Sequence, residues 1–106
     1  GEPERRQRLL ALAQRLAAGL TAQGYTVLPT ASAVVPLLVG EAGDALALSA
    51  ALRGRGVFCP AIRPPTVAPR QSRLRVTPMA THSDEQIERA LAAFAAARQE
   101  LAPDGP

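Results

Sequence analysis

GVFCPAIRPPTVAPRQSRLRVTPMATH, residues Gly56–His82, is the stretch from which the fold can be read. Its second half alternates. In Arg73-Leu74-Arg75-Val76-Thr77 the leucine and valine fall on one side of an extended strand, the arginines and Thr77 on the other. A strand with one apolar and one polar face belongs to a sheet covered on one side only, which is the habit of antiparallel sheets. Val57 to Ile62 reads as a second strand, broken by Pro60. Between the two, Arg63 to Gln71 holds Pro64, Pro65 and Pro69 and must be an extended or turning loop.

Outward from this block, the chain divides into helical and strand-like runs. Upstream, Leu9, Leu12, Leu16 and Leu20, with Ala13 and Ala17, share one face of a helix spanning Arg5 to Gln23, and Gly24 is a natural stop. Tyr25 to Leu28 is a short strand ended by Pro29. Val34 to Val39 is an aliphatic strand whose Pro36 assigns it to a sheet edge or a bulge. Asp44 is placed to cap a second helix running to Arg53, ended by Gly54 or Gly56. Downstream, Ser83-Asp84-Glu85-Gln86 has the form of a capping box. It opens a third helix with the stripe Ile87, Ala90, Leu91, Phe94, Ala97 and Leu101. The order α-β-β-α-β-β-α predicts an α+β domain: a small, mostly antiparallel sheet with helices on one face. Residues 1–106 form one domain in this reading, with residues 1–4 and 102–106 expected to be disordered.

Composition narrows the function. Hydrophobic residues make up 47% of the chain but aromatics only 3%, so the core is filled by small aliphatic groups and is expected to lean on a neighbouring surface. All 12 basic residues are arginine and the net charge is +3. The pI of about 10.4 overstates that charge, because arginine stays protonated at any accessible pH. Basic residues are not clustered and stacking aromatics are scarce, which speaks against a nucleic-acid partner. A single cysteine, Cys59, excludes an internal disulfide and a cysteine-based metal site, and it reads as a small buried hydrophobe. With no membrane span and no signal peptide in the sequence, the cytoplasm is the expected location.

On pattern alone Arg75 is either an ordinary exposed strand arginine or a ligand-binding one. Thr66 either caps its own turn or contacts a ligand. Arg63 is a surface arginine or a contact for an acidic or phosphate-bearing partner. Arg73 is expected to pair on the surface, and His82 to cap or pack at the start of the last helix. No catalytic, cofactor-binding or metal-ligating residue is expected in this chain.

A resemblance sharpens these choices. Arg63-Pro64-Pro65-Thr66-Val67, Arg73-Leu74-Arg75-Val76-Thr77 and Ala80-Thr81-His82 resemble the C-terminal small domain of the α-oxoamine synthases. These are fold-type I, pyridoxal-phosphate (PLP) enzymes that join an amino acid to an acyl thioester. Pro29-Thr30, Ser32, Pro36 and Val39-Gly40 match a looser pattern of the same family. The resemblance implies that Arg75 grips the substrate carboxylate, where a planar guanidinium donates two parallel hydrogen bonds and fixes the carboxylate plane. It implies that Thr66 contacts substrate and admits Arg63 as a contact for the acyl carrier. Ile62-Arg63-Pro64-Pro65-Thr66-Val67 is most like members that condense L-alanine with a pimeloyl thioester; serine palmitoyl-type members come next, and glycine acyltransferases usually carry tyrosine-proline in place of Pro64-Pro65. The family further implies a homodimer and a large PLP-binding domain on the same polypeptide. PLP is held in such enzymes as a Schiff base on lysine, and this chain has none. It is therefore expected to be inactive alone, as a fragment of a larger enzyme. A stand-alone, non-catalytic ligand-binding or interaction module is the alternative. One departure is local: a turn that carries glycine in the family carries Arg70 here, which costs strain if that position needs a positive φ.

Overall fold

The computed structural model describes residues 1–79 and 82–101; Ala80, Thr81 and residues 102–106 lie outside the described part. Three helices, α1 (Glu2–Ala22), α2 (Ala42–Arg53) and α3 (Asp84–Leu101), accompany four strands, β1 (Thr26–Val27), β2 (Val35–Gly40), β3 (Ala61–Ile62) and β4 (Ser72–Val76). The strands form one antiparallel sheet in the order β1-β2-β4-β3. The predicted α+β architecture is the one observed.

Alternation sorts the side chains of the sheet. Val35 and Leu37 of β2 lie opposite Val76 and Leu74 of β4, and all four are buried beneath the helices. Pro36 lies opposite Arg75 and Leu38 opposite Arg73, on the other face, which no helix among the described residues covers. The helices close the core with Leu12, Leu16 and Leu20 from α1, Leu48 and Leu52 from α2, and Ile87, Leu91 and Phe94 from α3.

Helix ends follow local chemistry. After α1, Tyr25 N–H donates to the carbonyl of Leu20 across Gly24 at φ 97°; after α2, Val57 N–H donates to Leu52 across Gly56 at φ 83°. Both are Schellman ends, which need a residue that tolerates a left-handed backbone. At the start of α3, Gln86 N–H donates to Ser83 Oγ at 3.1 Å and Ser83 N–H to Gln86 Oε1 at 2.7 Å, the reciprocal capping box expected there.

Several expectations are corrected. Helix α1 begins at Glu2, so residues 2–4 are helical rather than disordered, with Glu2 and Glu4 favourably placed in its first turn. Helix α2 begins at Ala42 with Glu41 as its N-cap, so Asp44 sits inside the first turn, not at the cap. Only Ala61–Ile62 of the 57–62 run is strand. Val57 spends its N–H on the helix end and Pro60 has none to give, although the Pro60 carbonyl still accepts from Arg75 N–H at 3.0 Å. β2 is central, not an edge. It tolerates Pro36 because the Pro36 carbonyl faces Leu28, just past the end of two-residue β1; the ring nitrogen faces the same way and interrupts no β4 bond. The bulge expected with the proline lies further along, between Leu38 and Gly40. In α3, Leu101 is exposed and Ala93 takes an inward place.

Candidate substrate face

Arg75 projects from β4 on the uncovered face of the sheet. Its strand neighbours Leu74 and Val76 are locked in the core and its backbone N–H is held by Pro60, so the backbone that aims it is fixed. The side chain is exposed and, among the described residues, has no hydrogen-bond or ion-pair partner. An arginine held on a rigid strand with both edges of its guanidinium unengaged is equipped to take a carboxylate bidentately.

The loop 63–71 joins β3 to β4 at the Ser72 end of the strand, and Arg63, Thr66 and Arg70 are all exposed on it. Two backbone turns shape it: Thr66 N–H donates to Arg63 C=O and Gln71 N–H to Ala68 C=O, each at 3.0 Å. The Thr66 turn is thus closed by its backbone, and the hydroxyl has no partner among the described residues. Arg75 lies three residues into the strand from Ser72, about 10 Å at the usual rise. Arg63 and Thr66 therefore share a loop, with Arg75 further along the adjoining strand.

Arg73 shares the face of Arg75 but is engaged: its Nε–H donates to the Gln71 carbonyl at 3.0 Å, so the partner of this surface arginine is a backbone oxygen. His82 is taken up locally, its Nδ1 accepting from Met79 N–H at 3.0 Å and its carbonyl accepting from the Arg8 guanidinium. Cys59 is buried, and burial pushes its thiol up to about 11, which leaves almost no thiolate at neutral pH. Among the described residues no group of three His, Cys, Asp or Glu side chains is placed to hold a metal, and no helix is long and apolar enough to cross a membrane.

Arg70 is the feature that sequence pattern marked only indirectly. It adopts φ 65°, so the position does have the left-handed backbone that favours glycine. An arginine in that conformation costs roughly 1 kcal/mol relative to glycine.

A separate cleft of about 420 Å³ opens on the helix side, at the far end of β4, lined by Val57, Phe58, Val76, Met79, Ile87 and Arg89 among others. Phe58 is 74% exposed and Met79 56%. Arg75 does not line this cleft, so the cleft and the candidate carboxylate site are separate features of the surface.

The model of the family "Aminotransferase class I and II" matches residues 2–94. The chain belongs to this family. It is 49% identical over 99% of its length to 8-amino-7-oxononanoate synthase of Anaeromyxobacter dehalogenans, of which it spans 26%. It also superposes on serine palmitoyltransferase of Sphingomonas wittichii with a TM-score of 0.84 at 32% identity, over 96% of this chain and 26% of that one. A serine palmitoyltransferase solved with PLP matches with a TM-score of 0.87 at 30% identity, over 95% of this chain and 26% of that one. The chain thus spans about a quarter of the length of the relatives it matches, and the resemblance to an α-oxoamine synthase small domain holds. Aminotransferase-type proteins of this kind imply PLP, yet the chain has no lysine to tether it. The residues present do not supply that anchor.

Proposed function

We propose that this chain is the substrate-lining C-terminal domain of an 8-amino-7-oxononanoate synthase, a PLP-dependent transferase that condenses L-alanine with a pimeloyl thioester, with loss of CO2, in biotin biosynthesis. The observation that carries this reading is Arg75: a guanidinium without a partner among the described residues, fixed on a rigid strand, within the Arg73-Leu74-Arg75 spacing of the family. In this reading Arg75 holds the amino-acid carboxylate, Thr66 contacts the substrate with its hydroxyl, and Arg63 meets the acyl carrier. The chain by itself is inactive. PLP is carried on a lysine of a large domain elsewhere in the same polypeptide, and the cytoplasmic enzyme is a homodimer. Exposed Phe58 and Met79 beside the helix-side cleft fit a surface that the rest of that polypeptide covers.

The serine palmitoyltransferase match favours a second reading, the same domain from an enzyme using serine and a long acyl chain. Backbone superposition is shared by every member of such a fold, whereas identity reports the side chains that line the site. The 49% identity to the pimeloyl-type relative therefore weighs more.

The test is a mutational series in the intact enzyme. Arg75→Ala removes both donors from the carboxylate, and kcat/KM for L-alanine should fall about a hundredfold or more, given roughly 1.5–3 kcal/mol per charge-assisted hydrogen bond. Arg75→Lys should fall between, keeping the charge but losing the fork. Arg73→Ala, on the same face, should change little. Equal, small losses from Arg73→Ala and Arg75→Ala would mean that the carboxylate site has been misplaced.

A further inference from the structure

Arg70 is the one non-glycine residue with a positive φ among the described residues. Its packing does not account for an arginine in that conformation. The side chain is 85% exposed, and its ion pair is with Glu41 at 4.0 Å, itself 69% exposed, at the outer limit of such a contact. A pair of that kind contributes little. The backbone beneath is firmly placed, with the Gln71–Ala68 turn on one side; a Cβ at Gly40 would stand 3.7 Å from the Arg70 carbonyl oxygen on the other. The guanidinium is therefore carried outward at the rim of the loop that also bears Arg63, which has no ion-pair partner among the described residues. A strained residue whose side chain makes, among the described residues, only one weak and exposed ion pair points to a ligand.

We propose that Arg70 docks a phosphate of the acyl donor's carrier arm, and so sets a preference for phosphate-bearing thioesters over neutral ones. This deepens the function proposed above and rests on it. A thioester that reaches an amino acid held at Arg75 from the loop side brings its carrier past Arg63 and Arg70. Arginine suits a phosphate as it suits a carboxylate, through two parallel N–H donors. The phosphate is either that of the pantetheine arm, common to coenzyme A and carrier proteins, or one of the nucleotide phosphates of coenzyme A.

The experiment compares the intact enzyme with its Arg70→Gly variant on pimeloyl-coenzyme A and on the phosphate-free thioester pimeloyl-N-acetylcysteamine. The ratio of kcat/KM between the two donors should fall roughly tenfold in the variant, the weight of one charge-assisted hydrogen bond. The salt dependence of that ratio should flatten. Thermal stability should rise, because glycine relieves the strain, which removes misfolding as the cause. Arg6→Gln, an exposed charge change on α1, is the control and should leave the ratio unchanged. Pimeloyl-carrier protein separates the sources. Loss with both carriers assigns the shared pantetheine phosphate, and loss with coenzyme A alone assigns the nucleotide. An unchanged donor ratio, or loss with carrier protein alone, overturns the proposal. Should the unmutated enzyme turn over neither pimeloyl donor, the proposed function fails, and binding of coenzyme A itself then decides this inference. About tenfold weaker binding to Arg70→Gly supports it, and equal binding overturns it.

Discussion

Cys59 and Tyr25 give the chain an alkaline signature that its composition makes unusually easy to read. Burial pushes the Cys59 thiol up to about 11. Tyr25 is also raised, by burial first, with Arg98 pulling the other way. A group whose pKa is higher in the folded chain keeps its proton there after the unfolded chain has lost it. Its stabilising contribution is therefore complete below the unfolded pKa and is lost as pH climbs through the window up to the folded value. With no lysine, and with one cysteine and one tyrosine, few other groups titrate between pH 9 and 11. The melting temperature should thus fall across that window, by an amount equivalent to at most about 3 kcal/mol from Cys59. Calorimetry of Cys59→Ala should show a shallower fall, and an identical slope would remove Cys59 from the account. Residues differed in how openly the sequence declared them. Arg75 follows from strict alternation, whereas Arg73 carries the same pattern and is engaged by a backbone carbonyl that no spacing announces. The strain at Arg70 was visible only as arginine where the family has glycine.

Elements were legible where one chemical signal governs them. The Ser83–Gln86 capping box and the Gly24 helix stop are side-chain and backbone requirements written into single positions, and both are met. The 57–62 run and Pro36 misled because tertiary placement decides them. Val57 is consumed by a helix end, and Pro36 is acceptable in a central strand only because its neighbour β1 is so short. The α1–α3 contact is likewise invisible to periodicity. It is held by Arg15, bridging Asp84 at 2.8 Å and Glu88 at 2.7 Å, and by Gly19, where an added Cβ would meet Leu91 Cδ1 at 2.6 Å. Alanine is the better helix former, yet Gly19→Ala should destabilise by about 1–2 kcal/mol through overpacking. Leu91→Ala alone should cost about 2–4 kcal/mol as a cavity. Because the two changes share one space, the double variant should be more stable than the sum of the singles allows, by 0.5 kcal/mol or more in denaturant titrations. Strict additivity would show that the helices are not in contact there.

At the scale of the whole molecule, the two faces of the sheet divide the labour. One face carries three helices and a core of small aliphatic side chains, and the other is left open with Arg75 upon it. An exposed loop is consistent with a domain built against a larger body, while the first helix is firmly held. α1 buries Leu12, Ala13, Leu16 and Leu20 and is tied to α3 by Gln23 Nε2–H donating to the Leu91 carbonyl at 2.9 Å. Hydrogen exchange should accordingly be fast across 63–71 and slow through the middle of α1; equal protection of both would contradict this division. The most direct test of the central claim is the donor and amino-acid profile of the intact polypeptide that contains this chain. The account expects L-alanine and a pimeloyl thioester to be converted to 8-amino-7-oxononanoate and CO2, with L-serine and palmitoyl-coenzyme A used far less well. Preferential turnover of serine with the palmitoyl donor, or no condensation with any amino acid, would contradict it.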